Sequence, residues 1–118
     1  MKLEKVDVIT LTFNSERYLE RCIRSIFKHI PVNRLIIIDK FSTDRTLDII
    51  SKFPNVEVYQ RHYNLAQARE FGIKLVKTPL FCFIDSDAEI LPSFRNLFKL
   101  FEDPSIGAVE ARDINPYY

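Results

Sequence analysis

Leu80-Phe81-Cys82-Phe83-Ile84-Asp85-Ser86-Asp87 is the stretch that decides the fold of this chain. Its apolar run, Leu80 to Ile84, has the length and composition of a strand buried on both faces. Two carboxylates spaced i, i+2 follow at once. In an open α/β sheet, ligands bind at the carboxyl ends of such strands. An acid pair placed there suits a hard divalent cation, and Mg²⁺ typically uses one or two carboxylates together with substrate phosphates. The competing reading is a solvated turn, because Asp and Ser are common turn residues.

The rest of the chain alternates in the same sense. Its six prolines, at 31, 54, 79, 92, 104 and 116, separate apolar runs of strand length from runs of helical period. Val6 to Thr12 is β-branched and reads as a first strand. Leu19, Cys22, Ile23, Ile26, Phe27 and Ile30 lie on one helical face, and Pro31 ends that helix. Leu35 to Asp39 reads as a second strand. A second helix starts near Asp44, with Leu47, Ile50 and Phe53 inward, and Val56 to Gln60 is a short third strand. A third helix runs from about Leu65 to Val76, with Leu65, Ala68, Gly72, Leu75 and Val76 toward the sheet. Leu80 to Asp85 is the fourth strand. Pro92 opens a last helix with Phe94, Leu97, Phe98 and Phe101 inward, and Ile106 to Ala111 is a candidate fifth strand. Strands alternating with helices predict parallel βαβ units, hence an α/β, Rossmann-like, mostly parallel sheet with helices on both faces. Residues 1–118 read as one domain.

Composition excludes several classes. The chain is 47% hydrophobic and 28% charged, which indicates a globular rather than a disordered protein. A formal net charge of +1, with acids and bases interleaved, gives no electrostatic case for nucleic acid. No apolar run approaches the roughly 18 residues of a membrane span, and Met1-Lys2-Leu3-Glu4-Lys5 is not a signal peptide. The expected location is cytoplasmic, with peripheral attachment to a membrane left open. Cys22 and Cys82 read as buried free thiols. Gly72 and Gly107 are the only glycines, so neither a Walker loop nor a dinucleotide fingerprint exists. A nucleotide would have to be held by side chains and a metal.

Right-handed crossovers place the ends of strands one, two and four along one sheet edge. Three polar clusters meet there: Thr12-Phe13-Asn14-Ser15-Glu16, then Asp39 with Ser42-Thr43-Asp44, then Asp85-Ser86-Asp87. Asn64 and Arg69, around the start of the third helix, join them. Asp39 can accept from a base or ribose, Thr12 and Asn14 can hold base or ribose, and Arg69 can fork onto a diphosphate oxygen. Each residue also has a local reading: Asn14, Ser15 and Asp44 as helix caps, Arg69 as a solvated helix residue.

Taken in order, Val8-Ile9-Thr10-Leu11-Thr12-Phe13-Asn14-Ser15-Glu16, Ile37-Ile38-Asp39 with Ser42-Thr43-Asp44, Asn64 with Ala68 and Arg69, and Phe83-Ile84-Asp85-Ser86-Asp87 resemble family 2 glycosyltransferases of the GT-A fold. The likeness spans about residues 6 to 92. It implies a UDP- or GDP-sugar donor, a divalent metal (Mg²⁺ or Mn²⁺), and inverting transfer of the sugar to an acceptor hydroxyl. By the same likeness, Thr12, Phe13, Asn14, Glu16, Asp39, Ser42, Asp44, Asn64, Arg69, Asp85 and Ser86 bind the nucleotide sugar. Asp85 and Asp87 form the DXD motif that holds the metal.

The chain departs from the family in three ways. Lys40, Phe41 and Arg45 stand where the second motif usually has an acid and two glycines, so a differently shaped loop is expected there. Ala66 and Glu70 replace a Gly and an Asn of the third motif. Family 2 enzymes also continue well beyond the DXD region, where the acceptor site and general base lie. The expectation is therefore a donor-binding part of a truncated GT-A fold. Glu110 and Asp113 are its only late acids near the site, and neither is assigned as base. Tyr117 and Tyr118 are available to cover an open face, and self-association is an expectation. Two rival readings stand beside this one. The first is a non-catalytic module that binds a nucleotide sugar or a protein partner. The second is a haloacid-dehalogenase-type phosphatase, whose D-x-D motif Glu89 and the three preceding motifs fit poorly.

Overall fold

The structure, a computed structural model, describes residues 4–111. Asp113, weighed above as a late acid, and Tyr117 and Tyr118, weighed as cover for an open face, lie outside the described residues, as do Met1 to Leu3. The elements are β1 (Val6–Thr12), α1 (Leu19–His29), β2 (Val32–Asp39), α2 (Thr46–Ser51), β3 (Val56–Gln60), α3 (Leu65–Leu75) and β4 (Phe81–Phe83). A 3₁₀ helix, Pro92–Glu102, follows. The strands form one sheet in the order β3-β2-β1-β4, and every pairing is parallel.

The apolar runs of β1 and β2 follow from their central place in the sheet, where both faces are covered. On one face Val6, Val8, Leu35 and Ile37 pack against Leu19, Cys22, Ile23 and Ile26 of α1, Ile50 of α2 and Phe98 of the 3₁₀ helix. On the other, Ile9, Ile36 and Ile38 pack against Ala68 of α3. Gly72 sets how close α3 lies. A Cβ there would stand 2.9 Å from Ile9 Cγ2 and 3.2 Å from Ile38 Cδ1, so any side chain would push the helix off the sheet.

At the amino-terminal end of the sheet, Asp7 is fully buried. Its carboxylate accepts from Asn33 Nδ2 at 2.8 Å, Arg34 NH2 at 3.1 Å and the Lys77 backbone N–H at 2.8 Å. Arg34 also meets Glu57 at 3.1 Å and donates to the Leu75 carbonyl. Asp7 N donates to Thr78 Oγ1 at 2.9 Å. One charged side chain thus fastens β1, β2 and the segment after α3 together.

Five expectations are corrected. Phe27 is 37% exposed, because it sits at the margin of the α1 stripe. Leu65, in the first turn of α3, is 64% exposed and borders the cleft described below. β4 is shorter than Leu80 to Asp85. It pairs only with β1, and a turn closed by Ala88 N to the Asp85 carbonyl (3.0 Å) draws the chain away. The segment after Pro92 is 3₁₀, with Phe98 its one buried side chain. Residues 106–111 form no strand; most are exposed, and no described strand offers them a ladder. No helix among the described residues is long and apolar enough to cross a membrane.

Candidate functional site

The ends of β1 and β2 are tied together by side chains rather than by glycine turns. Thr12 and Asp39 are register partners. Asp39 is fully buried. Its Oδ1 accepts from Thr12 Oγ1 at 2.6 Å and Ser42 Oγ at 2.5 Å, and its Oδ2 accepts from Ser42 N at 2.8 Å and Gln60 Nε2 at 3.4 Å. Burial pushes the Asp39 pKa up, but these donors from Ser42, Thr12 and Gln60 outweigh it, and the carboxyl titrates below its ordinary value.

Asn14 extends this net. Its backbone is left-handed, φ 46°, which Asn tolerates. Its N–H donates to Ser42 Oγ at 2.8 Å, and its Oδ1 accepts from Thr43 N at 2.8 Å and Asp44 N at 3.3 Å. Glu16 N donates to Asp44 Oδ2 at 3.2 Å, and Glu16 Oε2 accepts from Arg45 N at 3.2 Å. Asp44 Oδ1 takes both Thr46 N, at 2.9 Å, and Thr46 Oγ1, at 2.6 Å. Asn14, Glu16, Ser42 and Asp44 therefore brace one loop against the other. The N-cap positions of α1 and α2 are Tyr18 and Arg45, and neither has a side-chain cap. Asn64 does cap α3, in a reciprocal capping box with Gln67 (2.8 and 3.0 Å).

Phe41, in the loop where the second motif of the resembled family has glycine, holds φ 52°. A phenylalanine there is strained by about 1–2 kcal/mol. Its ring stacks on His62 with centroids 4.1 Å apart and planes 20° from parallel, which offsets part of that strain. The loop thus keeps a glycine-like backbone without the glycine. Phe41→Gly should be more stable than Phe41→Ala by about 1 kcal/mol, since both lose the ring and only alanine keeps the strain. Equal denaturation midpoints would refute this.

In front of the braced loops lies a cleft of about 430 Å³. Asn14, Arg69, Asp85, Ser86 and Asp87 line it, together with Arg17 and Tyr18 of the α1 approach. A smaller hollow of about 120 Å³ adjoins it, with Thr12, Phe13, Lys40 and Asn64 in its wall. Leu11 and Leu65 border both. Glu16, Asp39, Ser42 and Asp44 line neither and stand in the brace behind.

Asp85 and Asp87 are exposed. Among the described residues neither carboxylate takes part in a hydrogen bond or ion pair, and no group of three or more metal-ligating side chains exists. Two open carboxylates fit a hard cation that completes its shell with water and phosphate, and do not fit an all-protein cage. Both thiols are free, and burial pushes Cys22 and Cys82 up to about 12, which disfavours the thiolate a nucleophile needs.

Arg17 is the cleft cation the sequence reading passed over. Its guanidinium lies 5.0 Å from the Tyr18 ring centroid. A lone Arg before a helix carries no sequence signal, and only the cleft singles it out.

The profile of the family described as "Glycosyl transferase family 2" matches residues 7–117. The chain belongs to that family. Glycosyltransferase SunS of Bacillus subtilis is 34% identical over 92 residues, which cover 71% of this chain and 21% of that protein. The poly(ribitol-phosphate) β-N-acetylglucosaminyltransferase TarS of Staphylococcus aureus is 32% identical over 92 residues, covering 70% of this chain and 16% of its own. The chain thus spans less than a quarter of the length of either. Crystal structures of S. aureus TarS residues 1–349 match with a TM-score of 0.71 in complex with UDP (26% identity) and 0.70 in complex with UDP-GlcNAc (25%). The first match covers 94% of this chain and 38% of the other. A mannosyltransferase of Pyrobaculum calidifontis, in complex with GDP-Man and Mn²⁺, shares the fold at TM-score 0.74 and 20% identity, over 91% of this chain and 35% of that one. The four-stranded parallel sheet of this family 2 chain is therefore that of the GT-A transferases, and family membership removes the phosphatase reading.

Proposed function

We propose that this chain provides the donor site of a glycosyltransferase that takes a sugar from a nucleotide diphosphate to an acceptor hydroxyl, with inversion. The observation that carries the reading is the cleft itself. It sets two open carboxylates, Asp85 and Asp87, beside Arg69 and Arg17 at the carboxyl edge of a family 2 sheet. UDP is the favoured nucleotide, because structures of the relative TarS carry UDP and UDP-GlcNAc.

Asp85 and Asp87 are the residues that would hold Mg²⁺ or Mn²⁺. Such an ion supplies charge neutralisation to the diphosphate as its bond to the sugar breaks. Arg69, in the first turns of α3, lines the cleft and offers a planar fork to a diphosphate oxygen. Thr12, Phe13 and Asn64 stand in the wall of the smaller neighbouring hollow, which is assigned to the base. Asp39 acts through Ser42 and Thr12, holding the loop that shapes the entrance. Both cleft acids being assigned to the metal, neither is assigned as the base that deprotonates the acceptor.

The test is thermal denaturation with UDP, GDP, CDP or ADP, each with and without Mn²⁺. A nucleotide at a hundred times its Kd stabilises a fold by about 2.7 kcal/mol. The expected result is a Mn²⁺-dependent shift, largest for UDP. No shift with any nucleotide would overturn the proposal.

A further inference from the structure

The backbone that carries the acid pair lies along one face of α1. Arg21 NH2 donates to the Asp87 carbonyl at 3.3 Å, and Arg21 Nε stands 3.6 Å from Glu89 Oε2. Cys22 Sγ is 3.4 Å from the Asp85 carbonyl oxygen. Ser25 Oγ accepts from Ile90 N at 2.9 Å, a buried bond, and donates to the Cys22 carbonyl at 2.8 Å. The three residues stand at i, i+1 and i+4, one stripe of a helix. They touch residues 85, 87 and 90 at backbone atoms, so the acid side chains stay open to the cleft. Only three residues of β4 are laddered, so the sheet alone holds this loop weakly.

We propose that α1 is the positioning element for the acid pair, and that Arg21 is the residue through which the Asp85–Asp87 loop is set for metal. The proposal rests on the donor-site reading above. Arg21 reaches the loop from outside the cleft. Its guanidinium lies 4.8 Å from the Tyr18 ring centroid, which limits its rotation. Partners that orient metal ligands typically affect metal affinity by about 10–100-fold. A purely structural contact on a half-exposed side chain would leave metal affinity alone.

The experiment is Mn²⁺ titration in the presence of UDP, read by the electron paramagnetic resonance of free Mn²⁺. It compares wild type, Arg21→Met and Arg21→Lys, with amide hydrogen exchange of residues 84–90 alongside. Arg21→Met keeps the stem over Tyr18 and removes both polar contacts. It should weaken Mn²⁺ about tenfold, speed exchange at Ala88 and Ile90, and leave the unfolding midpoint nearly unchanged. Arg21→Lys should recover part of the affinity. Wild-type Mn²⁺ affinity in Arg21→Met would overturn the positioning role while leaving the donor site standing. Absence of Mn²⁺ uptake by wild type would overturn both.

Discussion

Asp7→Ala is expected to destabilise the fold by about 3 kcal/mol, the low end for breaking a buried ion pair by removing one partner. For a domain of this size that is a fall in Tm of about 12 °C, at about 4 °C per kcal/mol. The substitution takes an acceptor from Arg34, Asn33 and the Lys77 N–H together. Arg34 keeps Glu57 and the Leu75 carbonyl, which is why the upper end of the range is not expected. The same site fixes a pH dependence. Burial raises the Asp7 pKa, but the Lys77 N–H, Arg34 and Asn33 outweigh it, so the folded carboxyl titrates below the ordinary value. A depressed folded pKa contributes stability above the unfolded pKa, about 3.9, and loses it as pH falls through the folded value. Asp39 is shifted the same way. Stability should therefore be flat through neutral pH and fall below about pH 4, with a shallower acid limb in Asp7→Ala. A midpoint within a degree or two of wild type at pH 7 would refute the role of Asp7.

Asp7 was not legible in the sequence, and the reason is physical. One acid near the start of an apolar strand looks like a residue leaning into water. Its partners lie 26, 27 and 70 positions away and meet it only after the sheet and α3 are assembled. What could be read was local. The bounds of β1 follow from a β-branched run, those of β3 from a short run between Pro54 and the loop at Arg61, and those of α1 and α3 from apolar period. Leu65 and Phe27 show the limit of period, since a residue at a stripe's margin or in a first turn need not meet the sheet. The candidate fifth strand shows the limit of propensity, since a strand exists only where a ladder does. The convergence of Asn14, Arg69 and the acid pair was legible, because parallel topology sends strand ends to one edge. The brace was not, because the sequence shows that Asn14, Ser42 and Asp39 are polar but not that they satisfy one another.

That brace carries the other large prediction. Asp39→Asn should cost about 3 kcal/mol of stability, because an amide presents N–H groups to donors that need an acceptor, and bonds to a charged acceptor are worth about 1.5–3 kcal/mol. It should also weaken nucleotide binding, and the pattern of the loss distinguishes two roles. All four donors to Asp39 come from the protein, and a base can reach the carboxylate only by displacing one of them. Asp39 is therefore expected to act by holding Ser42, which in turn holds Asn14 at the cleft. On that account UDP and CDP lose affinity by the same factor. Asn14→Ala combined with Asp39→Asn should then cost less than the sum of the single changes, since both open the same loop. Additivity within about 0.5 kcal/mol, or a loss confined to UDP, would instead make Asp39 a direct reader of the base. The buried carboxylate would then have to exchange a protein donor for a ligand donor on binding. The loop at Phe41, already held in a left-handed turn, is the segment that would have to move to allow it.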